Sequence, residues 1–583
     1  MLGNTCVSGM LALMVAVGIP YAAAQKQSNQ PAANSRPIEE QMPQARPRYR
    51  LIDLGTFGGP QSYVNIPDNS YAAVLNNRGA VAGWGDTSSA DPYPDFCFND
   101  DCFASHGLVG GGGGIVDLGT LPGGSNSAAT WMGGNGLVAG ISENGETDPL
   151  VAGFPELRGV LWKNGQILDV GTLAQGGYES LANAVNSRGL VVGMATSTTP
   201  DPDSMFGLGY QTRAFGWDEK KGMQDLGTLG GPDAMAFLVN ERGQIVGDSY
   251  TNSNPSAYCA NIGFSLTTGA FLWENGAMRN LGSFGGTCTF AFALNERGEV
   301  VGGSTLKGDS KQHPFLWSQG RLRDLGTFGG DLGNAIAIND AGKVTGWASI
   351  KGNQVNHAFL WKNGVKRDLG TLPGDACSYG FGINAQGAVI GVSAQTCPFE
   401  TTRPFLWEPD GTMIDMNALI PADASLYLTS PGTINNRGEI AGVGLDVNGN
   451  QHAFLLVPCG PSDECEDASA SAATRVRPVP AIQESPNGTH RNSIQNLIRS
   501  RMGLGRLGVP ISDGGRRPTE TNQVPTEASP LLRENDEIER VFAGHDAAWR
   551  YYCGRYGSPC GYRGFRCCPG LECTAGSTRM ACR

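Results

Sequence analysis

The stretch that decides the fold is His357-Ala358-Phe359-Leu360-Trp361-Lys362-Asn363-Gly364-Val365-Lys366-Arg367-Asp368-Leu369-Gly370. An aromatic run is followed by an Asn-Gly pair and by a second run that ends in Asp-Leu-Gly. Asn and Gly tolerate the positive φ angles of a type I′ turn, so the stretch predicts a β-hairpin. In this hairpin Phe359 lies opposite Asp368, and His357 lies diagonal to Asp368 on the same face.

The second half of this hairpin belongs to a motif of the type D-L-G-T-L-G-G that recurs along the chain. Its copies begin at Asp53, Asp117, Asp169, Asp225, Asn280, Asp324, Asp368 and, in degenerate form, Asp415. Between copies lie an alternating run that ends in Asn, such as 291–295, and a β-branched run that ends in Gly, such as 300–302. Each repeat therefore predicts four antiparallel strands, the content of one β-propeller blade.

The two ends of the repeat region complement each other. The eighth repeat has no fourth strand, and the region begins with an unpaired fourth strand at 49–55. Pairing the two would leave no bare sheet edge. The predicted fold is therefore all-β, a propeller of eight four-stranded blades closed by the N-terminal strand, and an open β-solenoid is the rival fold.

The repeated elements resemble a known family. D-L-G-T-L-G-G, I-N-x-x-G-x-V-V-G and H-A-F-L-W, recurring in that order over residues 48–458, are similar to the HAF-repeat family of probable extracellular proteins. The resemblance implies export and a repeat fold. It implies no activity and no catalytic residues.

Composition and the N-terminus indicate export. Residues 1–24 are typical of a signal peptide, with an apolar run too short to span a bilayer and an Ala-x-Ala cleavage pattern before Gln25. Residues 25–47 are predicted to be a linker, and the chain has no stable membrane span. The net charge of −12 argues against nucleic-acid binding. The expected location is extracellular or periplasmic.

The cysteine count fits an oxidising compartment. Of 15 cysteines, Cys6 lies in the presumed signal peptide, which leaves an even number. Proximity predicts four disulfides: Cys97–Cys102, Cys259–Cys288, Cys377–Cys397 and Cys459–Cys465.

The chain after the repeats has two parts. Residues 459–549 are rich in Ser, Pro, Arg and Glu and are predicted to be a disordered linker. Residues 550–583 hold six cysteines whose spacing resembles an inhibitor cystine knot, or knottin; the residues alone permit 15 connectivities. The resemblance implies the pairs Cys553–Cys568, Cys560–Cys573 and Cys567–Cys582.

Candidate site residues recur at repeat positions, which favours architecture over catalysis. His106, His313, His357 and His452 begin the aromatic run, where other repeats have Arg158, Arg213, Arg403 or Gly269. We predict that each His or Arg contacts the motif carboxylate, and the structural set is Asp117, Asp225, Asp324 and Asp368 with His313, His357 and His452. The recurring tryptophans, Trp162, Trp217, Trp273, Trp317, Trp361 and Trp407, are predicted to be core.

Other motifs point to turns. Gly110 to Gly114 lacks the G-K-[ST] of a phosphate loop, and Asp446 to Asn450 lacks the later ligands of a calcium loop. Calcium could also be held by Asp91, Asp95, Asp100 and Asp101, against the default of a solvated acidic loop. No cofactor, metal or catalytic residue is predicted.

Three functions fit the sequence. The favoured one is a secreted, monomeric binding protein, a propeller with a tethered knottin-like module, whose ligand is carbohydrate or protein. The alternatives are a polysaccharide hydrolase or lyase with carboxylates at the propeller mouth, and a toxin- or inhibitor-like effector that acts through the knot. Long loops between second and third strands, 142–157, 195–212 and 248–268, are the predicted binding face.

Overall fold

A computed structural model describes residues 49–64, 73–174, 176–260, 263–397 and 402–460, together with Ile494 and the backbone of four short strands after residue 552. The repeat region is all-β. Its strands form five four-stranded sheets and one twelve-stranded sheet, which itself consists of three four-stranded groups. We call these eight four-stranded groups units 1 to 8, in chain order.

Units 1 to 4 follow the predicted repeats. Unit 1 comprises β2 (Gly58–Tyr63), β3 (Val81–Ala90), β4 (Phe103–Gly111) and β5 (Gly114–Asp117). Unit 2 comprises β6 (Ser127–Met132), β7 (Val138–Thr147), β8 (Pro155–Lys163) and β9 (Gln166–Asp169). Unit 3 comprises β10 (Ser180–Val185), β11 (Val191–Pro200), β12 (Tyr210–Asp218) and β13 (Gly222–Asp225). Unit 4 comprises β14 (Ala234–Val239), β15 (Ile245–Pro255), α1 (Ala257–Ala260), β16 (Leu266–Glu274) and β17 (Ala277–Asn280).

Units 5 to 8 have shorter second strands. Unit 5 comprises β18 (Gly285–Leu294), β19 (Val300–Leu306), β20 (Gln312–Ser318) and β21 (Arg321–Asp324). Unit 6 comprises β22 (Gly329–Ile338), β23 (Val344–Ile350), β24 (Asn356–Lys362) and β25 (Val365–Gly370). Unit 7 comprises β26 (Cys377–Ile383), β27 (Val389–Ala394), β28 (Thr402–Trp407) and β29 (Met413–Asp415), followed by the 3-10 turn Met416–Ala418. Unit 8 comprises β30 (Tyr427–Ile434), β31 (Ile440–Leu445), β32 (Gln451–Pro458) and β1 (Tyr49–Asp53).

The hairpin predicted from the opening stretch is present. β24 pairs antiparallel with β25, and Phe359 lies opposite Asp368. Asn363 and Gly364 both have positive φ, as a type I′ turn requires. The same pair of positive φ angles occurs at Asn164-Gly165 and Asn275-Gly276.

Unit 8 combines both ends of the repeat region. β1 pairs antiparallel with β32, with Tyr49 opposite Pro458 and Asp53 opposite Phe454. β1 thereby occupies the fourth-strand position that the eighth repeat lacks. Buried Tyr49, Leu456 and Phe454 share one apolar cluster, so β1 also contributes to the core between the sheets.

Successive units are joined by two recurring hydrogen bonds. In the first, a third-strand N–H donates to a serine on the first strand of the next unit, as in Gly107 to Ser127 (2.8 Å) and Gly159 to Ser180 (3.0 Å). Unit 8 contacts unit 1 in the same way, because Ala453 N–H donates to Ser62 Oγ at 3.0 Å.

In the second, the Asn that ends a first strand donates from Nδ2 to the backbone oxygen of its counterpart in the next unit. These bonds measure 2.8 to 3.4 Å and run Asn186 to Asn240, Asn240 to Asn295, Asn295 to Asn339, Asn339 to Asn384, Asn384 to Asn435 and Asn435 to Asn76. The step from Asn435 to Asn76 again links unit 8 to unit 1.

Stacked four-stranded antiparallel sheets that follow one another along the chain define a β-propeller fold. No helix in the described part of the chain is long and apolar enough to cross a membrane. After residue 552, Cys553–Gly554 pairs parallel with Arg566–Cys567, and Cys573–Ala575 pairs antiparallel with Met580–Cys582. The predicted signal peptide, the predicted 25–47 linker and the predicted knot disulfides lie outside the described residues and side chains.

Candidate functional site

The repeated histidines contact the motif carboxylates. Nδ1 lies 2.8 to 3.0 Å from the carboxylate in His106–Asp117, His313–Asp324, His357–Asp368 and His452–Asp53. The carboxylate also accepts the N–H two residues later, as Asp368 does from Gly370 at 2.8 Å. Each contact joins strand three to the crossover that follows, so these groups hold the repeat in shape.

The arginines at the same position follow the prediction only in part. Arg213 contacts Asp225 at 3.0 Å. Arg403 lies closer to Asp375 (2.9 Å) than to Asp415 (3.6 Å). For Arg158 the prediction was wrong, because its guanidinium pairs with Glu156 at 2.8 Å on its own strand. The longer and more flexible arginine side chain can contact carboxylates other than that of the motif, here Glu156 and Asp375.

The repeated tryptophans are packing residues. Five of the six are buried, and Trp273 is half-buried. Arginines of the preceding unit cover two of the rings, with Arg323 over Trp361 at 5.9 Å and Arg367 over Trp407 at 5.0 Å. Burial of these rings agrees with a packing role.

Three predicted disulfides are present: Cys97–Cys102, Cys259–Cys288 and Cys377–Cys397. Cys459 is also disulfide-bonded, and its predicted partner Cys465 lies outside the described residues. Cys97–Cys102 closes the acidic loop, whereas Cys259–Cys288 joins unit 4 to unit 5. Within the described part of the chain, no group of three or more His, Cys, Asp or Glu could hold a metal ion. The segment 446–450 is a hairpin turn, as predicted. Of the run Gly110 to Gly114, which was predicted to be a turn, only Gly112 and Gly113 form one, because the flanking glycines pair within β4 and β5.

Four consecutive units carry elaborated connections between strands two and three. These are loop A (residues 91–102), loop B (148–154), loop C (201–209) and loop D (256–265). They are shorter than predicted because their strands run further, β7 to Thr147 and β15 to Pro255. In units 5, 6 and 8 only five residues separate the corresponding strands. The connection of unit 7, residues 395–401, is as long as loop B and is described only as far as Cys397. We call units 1 to 4 the long-loop half and units 5 to 8, in which units 5, 6 and 8 have short turns, the plain half.

The four long loops share a design. Each is closed by one backbone hydrogen bond: Asp91 N–H to Cys102 O, Asp148 to Phe154, Asp201 to Gly209 and Ser256 to Ser265. Each also buries one phenylalanine at 2% exposure or less: Phe98, Phe154, Phe206 and Phe264. The loops are thus folded onto the sheets by an internal anchor and present a defined surface.

Loops A, B and C are also fastened to the next unit, each by one residue that precedes the first strand of that unit. Asn126 donates to Asp91 of loop A at 3.0 Å and accepts from Ser105 N–H at 2.8 Å. Asp233 accepts from Met205 N–H of loop C at 2.7 Å and from Thr212 N–H at 3.0 Å. Glu179 takes the same place beside loop B, where it accepts from Leu157 N–H at 2.9 Å.

At two of these places a carboxyl group faces another carboxyl group. Burial raises the pKa of Asp233 to about 8, and the nearby carboxyl of Asp201 adds to the shift. Burial also raises the pKa of Glu179 well above its usual range, and Asp148 again adds to the shift. A carboxyl beside a second carboxyl is stable in the interior only when one of the two keeps its proton. The proton then serves as the hydrogen bond between loop and unit.

A similar arrangement lies in unit 1. Burial raises the pKa of Asp86 to about 9, and Asp101 of loop A contributes to the shift. Asp86 accepts from Ser105 Oγ at 2.7 Å and from Gln61 N–H at 2.9 Å. Sequence reasoning missed all of these buried acids, since Asp and Glu in a loop ordinarily indicate a solvated surface.

An open cleft of about 360 Å³ lies where the long-loop half meets the plain half. Its lining is Pro255, Ser256, Ala257, Tyr258, Thr287 and Asp309. Thr287 Oγ1 donates to Asp309 at 2.9 Å and lies 2.6 Å from Ser256 Oγ. Burial raises the pKa of Tyr258 to about 12, so its phenol keeps its proton and donates to Gln312. The lining therefore offers hydroxyl groups, one carboxylate and one half-buried aromatic ring.

Comparison with known proteins gives structural neighbours only. No protein-family model matches the chain, and no curated protein matches its sequence. The β-propeller domain of the Trilobed protease from Pyrococcus furiosus, described as having an open velcro topology, is 10% identical at a TM-score of 0.35, over 62% of this chain and 99% of that chain. Pyrococcus horikoshii acylaminoacyl peptidase is 12% identical at a TM-score of 0.35, over 66% and 59%. At these scores the neighbours carry no argument about activity.

Proposed function

We propose that units 1 to 8 form one closed ring of eight blades in which β1 supplies the last strand. The support is that unit 8 meets unit 1 through the same bonds as other neighbours. Ala453 N–H donates to Ser62 Oγ, and Asn435 Nδ2 donates to Asn76 O. A closed ring leaves no sheet edge to aggregate, which suits a protein that works outside the cell.

On this ring we propose a secreted, HAF-type binding protein, exported by the signal peptide at 1–24, with the 550–583 module as a tethered knottin-like domain. The observation that carries the binding role is the asymmetry of one face. Four adjacent units bear anchored loops and a polar cleft at their edge. The repeated His, Asp and Trp side chains, in contrast, make contacts that hold the units together. Function therefore belongs to loops A to D and to the cleft beside loop D.

The proposed ligand is carbohydrate, taken at the cleft. A hydroxyl-rich lining with one carboxylate and a tyrosine offers paired hydrogen bonds to sugar hydroxyls and an apolar edge for a ring face. Glycoside hydrolysis needs two carboxyl groups flanking the bond that breaks. The cleft lining contains only one carboxylate, Asp309. This composition favours binding over hydrolysis.

A glycan-array screen of the full chain tests the proposal, followed by titration of any hit. We expect Asp309→Asn to weaken binding roughly tenfold or more, the usual loss for a charge-assisted hydrogen bond. The matched control is Asp446→Asn, the same change in the corresponding turn of unit 8, and it should bind as the wild type does. Binding of a protein but of no glycan, or equal binding by both variants, would contradict a carbohydrate site at this cleft.

A further inference from the structure

One residue of the predicted linker is part of the propeller core. Ile494 lies within 459–549, which the sequence predicts to be disordered, yet its side chain is only 1% exposed and its backbone is helical. Its N–H donates to the backbone oxygen of Cys97 in loop A at 2.9 Å. Burial of an isoleucine side chain on an apolar surface is favourable, which accounts for the position of this residue.

The surface that receives Ile494 belongs to loops A and B. Phe96 of loop A packs edge-on against Phe154 of loop B, with ring centroids 5.4 Å apart. Phe96, Phe98 and Phe154 belong to the same cluster of buried apolar side chains as Ile494, and Val151 of loop B packs against it. Loop A, which accepts the hydrogen bond from Ile494, is thus joined to loop B by the contact between Phe96 and Phe154.

Charge is complementary between this surface and the chain around Ile494. Loop A contains no Lys or Arg, and of its four aspartates Asp95 is exposed and Asp100 is half-buried, whereas Asp91 and Asp101 are buried. Residues 490–501 contain Arg491, Arg499 and Arg501 and no Asp or Glu. Opposite charges of this kind orient a partner and speed its association. Leu497 and Ile498 follow Ile494 at i+3 and i+4, a pattern typical of an amphipathic helix.

We propose that loops A and B form a docking site for a basic amphipathic segment, and that its occupant is this chain's own residues 490–501, anchored by Ile494. The proposal is independent of the sugar cleft, which lies beside loop D in unit 4.

Amide hydrogen exchange of the full chain gives the first test. The N–H of Ile494 is buried and hydrogen-bonded, so we expect it to exchange at least roughly a hundredfold more slowly than the N–H of Ile482, an isoleucine of the same predicted linker. Exchange of Ile494 at the rate of Ile482 would overturn the proposal.

Substitution in the full chain gives the second test. Ile494→Asp should release the segment, and Ile482→Asp is the matched control. Because burial of one isoleucine favours docking by roughly tenfold or more, trypsin should cleave at Arg499 about tenfold faster in Ile494→Asp, relative to the reference site Arg533. The ratio should be unchanged in Ile482→Asp.

A structural side effect is separated by thermal unfolding. If Ile494→Asp leaves the main unfolding transition near its wild-type temperature while cleavage at Arg499 accelerates, residues 490–501 are a docked segment on which the fold does not depend. If the main transition collapses instead, the charge-reversal variant Arg499→Glu/Arg501→Glu serves as the test, with cleavage at Arg491 as the readout. Unchanged cleavage at Arg491 in that variant would show that 490–501 is not held by loop A.

Discussion

At the scale of single residues, the least expected feature is the set of carboxyl groups that face each other inside the long-loop half. Asp233 and Asp201 are both buried, and a shared proton between them satisfies an oxygen of Asp201 that has no other hydrogen-bond donor. In unit 2 the two facing carboxyl groups are satisfied by an amide instead. Asn126 donates to Asp91 at 3.0 Å and to Glu143 Oε1 at 2.9 Å. The Asn126 amide in unit 2 and the retained proton of Asp233 in unit 4 therefore have the same role, which is to supply a hydrogen-bond donor between two carboxyl groups.

This comparison predicts the effect of Asp201→Asn. Asp233 keeps its proton in the folded protein up to about pH 8, but releases it near its ordinary pKa of 3.8 on unfolding. Stability from this group is therefore greatest at low pH and falls as the pH rises through 8. An amide at position 201 would donate to the ionised Asp233 and raise stability above pH 8 by about 1–2 kcal/mol. Denaturant unfolding at pH 5 and pH 9 tests this, with Asp203→Asn as control; an equal effect at both pH values would contradict it.

The contact between His357 and Asp368, which we call the histidine clamp, also predicts that stability falls as the pH rises, but over a different pH range. The hydrogen bond to Asp368 raises the pKa of His357 above 6.5. The clamp is therefore complete below pH 6.5, and its stabilisation is lost as the pH rises through the raised pKa. Because both groups are partly solvated, the loss should be about 1 kcal/mol. His357→Arg, the residue found at the equivalent Arg213, should remove this pH dependence; retention of the full wild-type slope would refute the clamp.

At the scale of elements, each unit depends on a glycine in its second strand. A Cβ on Gly302 would lie 1.8 Å from Phe290 O, and one on Gly346 would lie 2.0 Å from Asn334 O. The contact is this close because the first strand bulges beside it, between Ala291 and Ala293 in unit 5. The V-V-G motif is thus a packing requirement.

We therefore predict that Gly302→Ala destabilises the protein by about 3 kcal/mol, since backbone cannot move out of the way. Gly216→Ala is the control, because a Cβ there meets only side chains at 3.5 Å or more, and it should change stability by less than about 1 kcal/mol. Thermal unfolding of both variants measures the difference. Equal stability of the two would show that the bulge is soft.

Strands and turns were predictable because each depends on a short run of neighbouring residues, and because that run recurs in successive repeats. The Asn363-Gly364 turn, the opposition of Phe359 and Asp368 and the role of β1 all follow from periods of two residues and from the ladder of repeats. The Arg158–Glu156 pair, the carboxyl pairs and the docking of Ile494 were not predictable. They are contacts between segments that do not repeat, and no local pattern encodes which distant group an acid or an isoleucine will meet.

At the scale of the whole molecule, the repeated strands and the non-repeated loops have different roles. The serine bond occurs between units 1 and 2, 2 and 3, 6 and 7, and 8 and 1, and the asparagine bonds run from unit 3 through unit 8 to unit 1. The junction of units 8 and 1 therefore has both of these bonds. Among the residues that the structure describes, the anchored loops lie in units 1 to 4. In the proposed function, the repeated contacts supply the scaffold and the loops of units 1 to 4 supply the binding surface.

Cross-linking of the closing strand tests the central claim, the closed ring, most directly. Arg50 lies opposite Val457 in the β1–β32 pair. In the full chain, Arg50→Cys with Val457→Cys should form a disulfide under mild oxidation and raise the unfolding temperature, whereas Arg50→Cys with Lys307→Cys should not. A closed ring predicts nearly complete cross-linking in the first variant only. No cross-link there, or equal cross-linking in both, would contradict closure by the N-terminal strand.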